Sequence, residues 1–158
     1  MTAERLEEFS NYMIAIKGRS EGSMDGYILD LTKFLEFLYG DKKVTDKELQ
    51  AINKGYAYRY LSYCTKNGNS PKTRSRKVSS IRVFFKYLDY ECGIHNDVYQ
   101  IEKPKTEKTI PKYLTIQECK TLLDTARNSP MPERNVCIIT LFVNCGMRLS
   151  ELANIKVS

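Results

Sequence analysis

The 158 residues include 25 Lys and Arg against 19 Asp and Glu, a formal charge of +6, and the 42% apolar share suffices for packed cores and excludes a disordered tail. The longest apolar runs, 136–139 and 141–143, are far too short to span a bilayer, and MTAERLEEFSNYM lacks the basic-then-apolar layout of a secretion signal, so a soluble cytoplasmic protein is expected. Five cysteines, Cys64, Cys92, Cys119, Cys137 and Cys145, have no paired spacing; neither a disulfide framework nor a four-thiolate zinc site is indicated, and they are expected to be reduced and mostly buried.

Apolar residues recur at helical spacing nearly throughout the chain. Residues 4–17 put Leu6, Phe9, Met13 and Ile16 on one stripe, and residues 21–39 carry Tyr27, Leu31, Phe34, Leu35 and Leu38. Gly40 stands where a left-handed cap would close this second helix. A third helix is expected over about 46–67, starting near Thr45 or Asp46 and carrying Leu49, Ile52, Tyr56, Tyr60 and Leu61 until KNGNSP breaks it.

The fourth helix, from Ser70 as cap and Pro71 in its first turn to about Tyr90, is the best specified. At 100° per residue, Val78, Ile81, Phe84, Phe85 and Leu88 share one arc, and Lys72, Arg76, Ser79, Arg82 and Lys86 share the opposite one. Arg74 and Lys77 point nearer the core edge and should matter less. Residues 67–90 hold six cations against the single acid Asp89, whereas residues 1–40 hold four basic and seven acidic groups. Long cationic side chains reach phosphates, and small neighbours let the helix approach them, so this face suits a polyanion such as nucleic acid. The alternative is a solvated face that confers solubility, although such faces usually mix signs in i,i+4 pairs and this one does not.

Residues 96–112, with two prolines, alternating charges and no sustained periodicity, read as an extended linker between a helical domain at 1–95 and a second region at 113–158. Cys92 and His95 form a C-x-x-H without a second ligand pair, which indicates a turn and no metal site. Beyond the linker, Thr115 and Glu118 make a capping-box pattern, a very apolar helix follows SPMPE up to Gly146, and a short helix is expected at about 148–155 with Leu149, Leu152 and Ile155. This region is too short to bury a self-sufficient core, reads as the beginning of a domain, and is expected to leave its 136–143 apolar face exposed.

Three segments taken in order, SEGSMDGYILDLTKFLEFL from Ser20, SPKTRSRKVSSIRVFFKYL from Ser70, and YLTIQECKTLL with CGMRLSELANIKVS, resemble the tyrosine recombinases, the phage-integrase and Xer-like family. The resemblance implies an all-α fold: a SAM-like four-to-five-helix core-binding bundle, a linker, and the first helices of a catalytic domain. It implies duplex DNA and further recombinase protomers on paired sites as partners, and neither metal nor nucleotide as cofactor. Lys72, Thr73, Arg76, Ser79, Arg82 and Lys86 would contact DNA, with Lys33 as the clearest cation of the second helix. Tyr27 is followed by Ile28 and Leu29 where family members often carry a cation. Gly22 and Gly26 either admit close approach of a helix or DNA backbone or are tolerated near a frayed end.

Arg148 matches the first catalytic arginine of the family, with Cys145 in place of the usual small Thr or Ser, and Glu151 matches the supporting acidic position. A guanidinium offers fixed donors to the oxygens that gain charge during transesterification. The nine residues around Arg148, taken alone, equally describe an ordinary helix start with an exposed ion pair. The family's lysine, second arginine, histidines and tyrosine nucleophile lie downstream of this motif, and none of the eleven tyrosines stands in that context. The expected protein is thus a DNA-binding piece of a longer recombinase that forms a 3′-phosphotyrosyl intermediate, inactive by itself. The alternatives are a non-catalytic DNA-binding regulator that reads a groove through the fourth helix, and a helical protein-interaction module.

Overall fold

The structure is a computed structural model that describes residues 2–107 and 112–156. Residues 108–111 of the expected linker, and residues 157 and 158, lie outside the described residues. The described residues form eight α-helices, one 3-10 turn and no strand. None of these helices is long and apolar enough to cross a membrane. The chain divides into two compact units, Met1–Glu107 and Lys108–Ser158.

The first unit contains α1 (Thr2–Ala15), α2 (Glu21–Tyr39), α3 (Asp46–Ala51), α4 (Lys54–Lys66), α5 (Pro71–Cys92) and the 3-10 turn Val98–Gln100. Helix α5 is its axis: Val78, Ile81, Phe84, Phe85 and Leu88 are all buried, packed among Phe9 of α1, Leu31 and Phe34 of α2 and Tyr60 of α4. Phe9 meets Phe84 edge-on at 5.3 Å between ring centroids, and Phe34 meets Tyr60 at 5.2 Å. The start of α5 follows its sequence signal, since the Ser70 hydroxyl accepts the Thr73 backbone N–H at 3.1 Å and Pro71 takes the first turn.

Several elements differ from the sequence reading. The single helix expected over about 46–67 is two, because Ile52 leaves helical geometry (φ −69°, ψ 130°) and Asn53 begins again as an N-cap whose Oδ1 accepts the Gly55 N–H at 2.9 Å. Extended backbone at this point buries Ile52 in the core while the chain changes direction. Helix α1 ends at Ala15, so Ile16 falls off the apolar stripe and is 67% exposed. Gly40 has the positive φ expected of a cap, 63°, but with ψ −141°, outside the left-handed helical region.

The stretch expected to be an extended linker begins folded. Val98, the first residue of the 3-10 turn, and Ile101, just after it, are fully buried in the first unit's core. The cysteines also depart from expectation: all five are free, but only Cys64 is buried, and Cys137 and Cys145 are exposed.

The second unit contains α6 (Ile116–Arg127), α7 (Pro132–Cys145) and α8 (Leu149–Ala153), with α6 packed on α7. Thr115 and Glu118 form a full capping box: the Thr115 Oγ1 accepts the Glu118 N–H at 3.3 Å, and a Glu118 carboxylate oxygen accepts the Thr115 N–H at 2.7 Å. No residue of α7 is buried, and Tyr113, Ile116 and Leu149 are largely exposed.

Candidate nucleic-acid interface

The expected cations of α5 divide between two environments. Lys72, in the first turn, is exposed, with Thr73 beside it half-buried and hydrogen-bonded to Ser70. Arg76 is exposed along half its side chain, yet its guanidinium is held from behind, with Nη1 and Nη2 donating to the two carboxylate oxygens of Asp30 at 2.6 and 2.9 Å. Asp30 lies on α2 and is 1% exposed. The Ser80 hydroxyl donates to the same carboxylate at 2.9 Å, and the Lys77 ammonium stands 3.5 Å from it.

This cluster corrects one reading of the sequence. Lys77 is buried rather than at a core edge, donating to the Tyr60 hydroxyl at 3.2 Å and lying 5.6 Å from that ring's centroid. Burial holds the Tyr60 hydroxyl well above the usual tyrosine range. The bidentate pair with Asp30 fixes the plane of the Arg76 guanidinium at the α2–α5 junction, with half of its side chain open to solvent. Two cations around one carboxylate leave a surplus positive charge there. The sequence held a signal for this cluster, since Asp30 interrupts the apolar face YILDLTKFL and Lys77 falls within the apolar arc of α5.

Farther along α5, Ser79, Arg82 and Lys86 line one open cavity of about 650 Å³. The Ser79 hydroxyl donates to the Ser75 carbonyl at 3.0 Å and Arg82 Nε donates to the Tyr99 carbonyl at 3.0 Å, which ties the helix to the 3-10 turn. Lys86 rests over the Tyr90 ring, 5.5 Å from its centroid. Lys33 stands apart from this group: it is exposed on α2 and lines a different cavity of about 470 Å³ with Tyr60, Tyr63 and Lys77. Arg74, set aside by the helical arc, donates to the Thr65 hydroxyl at 2.8 Å.

Gly22 and Gly26 create no close approach. A Cβ at Gly22 would meet nothing within 4 Å, and one at Gly26 would meet only Arg76 Nη1, at 3.9 Å. His95 makes no metal cluster with Cys92; its Nδ1 lies 2.6 Å from an Asp89 oxygen, and no group of three metal-ligating residue types occurs among the described residues.

In the second unit, Glu151 reaches back to Arg148 twice. Its Oε2 accepts the Arg148 backbone N–H at 2.7 Å, its Oε1 accepts from Arg148 Nη1 at 2.9 Å, and these bonds hold its carboxyl below the usual glutamate range. Arg148 precedes α8 in extended geometry and its side chain is 82% exposed. The motif thus fixes one edge of the guanidinium and leaves the remainder turned to solvent.

Comparison with known proteins agrees with this architecture. Residues 6–91 match the family described as "Phage integrase, N-terminal SAM-like domain", and residues 112–158 match the "Phage integrase family". The chain is 36% identical to "Tyrosine recombinase XerC" of Caldanaerobacter subterraneus subsp. tengcongensis, over 96% of its own length and 48% of the relative's. It is 32% identical to "Tyrosine recombinase XerD" of Oceanobacillus iheyensis, over 97% of its own length and 51% of the relative's, and 29% identical to "Tyrosine recombinase XerA" of Thermococcus kodakarensis, over 97% and 48%. The chain therefore spans about half the length of the curated relatives it matches. The all-helical first unit, the match of its α1–α5 to the SAM-like domain, and the following match through Arg148 and Glu151 together place the chain in the phage integrase family of tyrosine recombinases.

Proposed function

We propose that this chain binds duplex DNA through the outward face of α5, as the core-binding part of a site-specific recombinase working in the cytoplasm. The observation that carries the reading is the composition of that face. Lys72, Arg76, Arg82 and Lys86 emerge from a helix whose other side is wholly buried, and among the described residues the only carboxylate bonded to any of them, Asp30, lies beneath the surface. Phosphate contacts of this kind set register and orientation on the duplex and carry no base preference. Lys33 and Thr73 are proposed as secondary contacts.

Arg148 and Glu151 are proposed as one arm of a phosphoryl-transfer site. Charge that builds on the non-bridging phosphate oxygens during transesterification would be met by the exposed edge of the Arg148 guanidinium, with Glu151 keeping it extended. Strand exchange through a phosphotyrosyl link, and association of protomers on paired sites, belong in this proposal to a longer protein that carries the sequence. These 158 residues are proposed to bind DNA without cutting it.

The test is fluorescence anisotropy of the full chain on a labelled duplex, comparing wild type with Arg82→Gln and Lys86→Gln. The double variant is expected to bind far more weakly at low salt while melting close to wild type. Equal binding by both proteins would remove the proposal. The exposed apolar residues of the second unit would then favour a protein-interaction module.

A further inference from the structure

The cavity beside α5 has a second wall that helical periodicity alone does not reveal. Tyr99, Gln100 and Lys103, from the 3-10 turn and the irregular stretch after it, face Arg82, Lys86 and Tyr90 across about 650 Å³ of open space. Among the described residues, no carboxylate lines this space. The Arg82 Nε bond to the Tyr99 carbonyl sets the distance between the walls and commits only one of the five N–H donors of that guanidinium.

Gln100 is oriented in the same sense. The Lys54 ammonium donates to its Oε1 at 3.0 Å, and because an ammonium can only donate, the amide NH₂ is turned the other way, toward the Tyr99 hydroxyl at 3.5 Å. The cavity thus gathers three cations and an amide that presents donors. A surface rich in donors and without acceptor charge suits a phosphate oxygen. Burial of Val98, which opens the turn, and of Ile101, which closes it, anchors Tyr99 and Gln100 to the core.

We infer that this cavity seats a backbone phosphate of duplex DNA, with Lys103 and the Gln100 amide as ligands opposite Arg82 and Lys86. The inference rests on the DNA-binding reading of α5 and extends the binding surface beyond that helix. It commits to a phosphodiester of the duplex rather than a free phosphate ion.

The experiment is a salt series of duplex binding by the full chain, comparing wild type, Lys103→Gln and Lys105→Gln; Lys105 is an exposed cation two residues along that does not line the cavity. Loss of one phosphate contact lowers the slope of log K against log salt by about 0.9, which corresponds to roughly eightfold weaker binding at about 0.1 M salt. Lys103→Gln is expected to show both changes and Lys105→Gln neither, with melting temperatures unaltered because Lys103 is exposed. If Lys103→Gln behaves as Lys105→Gln does while Arg82→Gln with Lys86→Gln still weakens binding, the inference falls and the DNA-binding reading stands. If wild type fails to bind duplex at low salt, both fall. Inorganic phosphate, titrated while the Gln100 side-chain amide is followed by NMR, separates the two sources: saturation by phosphate without competition from duplex would overturn the assignment to DNA.

Discussion

Replacing Asp30 by asparagine keeps the side chain's shape and removes one charge from the most constrained site of the first unit. The carboxylate is 1% exposed and accepts from Arg76 at 2.6 and 2.9 Å and from Ser80 at 2.9 Å, with the Lys77 ammonium 3.5 Å away. In either orientation, an amide in its place turns an NH₂ group toward an Arg76 guanidinium N–H, which can only donate. Lys77, with 8% of its side chain exposed, is left as a buried cation without a counterion. Breaking a buried pair by removing one partner costs about 3–5 kcal/mol, and Arg76, half open to water, recovers part of its share by hydration. The expected loss is therefore about 3 kcal/mol, or roughly 12–24 °C in melting temperature for a domain of this size.

The assay is thermal unfolding followed by near-ultraviolet circular dichroism of tyrosine, since ten of the eleven tyrosines lie in the first unit and only Tyr113 in the second. Adding Lys77→Met to Asp30→Asn should recover part of the loss, because the uncompensated cation is then gone. A drop below about 4 °C for Asp30→Asn, or a further fall in the double variant, would refute the claim that Asp30 is the counterion on which this cluster depends.

Gly26→Ala should stabilise the first unit by about 0.5–1 kcal/mol, because its new Cβ lies in ordinary contact range and helical glycine carries an entropic penalty; a lower melting temperature would contradict this. Asn53→Ala should cost about 1 kcal/mol by removing the cap that restarts α4, read by urea unfolding. The Glu118 carboxyl, held below its ordinary value of 4.5 by the Thr115 backbone and hydroxyl, contributes stability to α6 that is present above pH 4.5 and is lost as the pH falls through the lower folded value. Carbon-detected NMR titration of Glu118 should place its midpoint below the ordinary value of 4.5, and a midpoint at or above it would contradict this.

Helix faces were readable because burial follows a 3.6-residue period, and every residue assigned to the buried arc of α5 is buried. Caps at Ser70 and Thr115 were readable because they are local, fixed by atoms three residues apart, and of the two starts the sequence offered at Thr45 or Asp46 the capping box falls on Thr45. The break between α3 and α4 was not, since Ile52 continues the apolar period whether its backbone is helical or extended. The restraint on Arg76 was also hidden, because its partner is 46 residues away on another helix. The same holds for the wall opposite Arg82: the composition of 96–112 signals an irregular chain, and only the packed fold places Val98 and Ile101 in the core.

The most direct test of the central claim is an NMR titration of the full chain with a duplex, following backbone amides and the Arg82 Nε–H. If α5 carries the DNA contact, shifts concentrate at Lys72, Arg76, Ser79, Arg82 and Lys86, with the α3–α4 junction at Ile52–Asn53 unaffected. Shifts concentrated on α3, or spread evenly over every exposed cation, would contradict it.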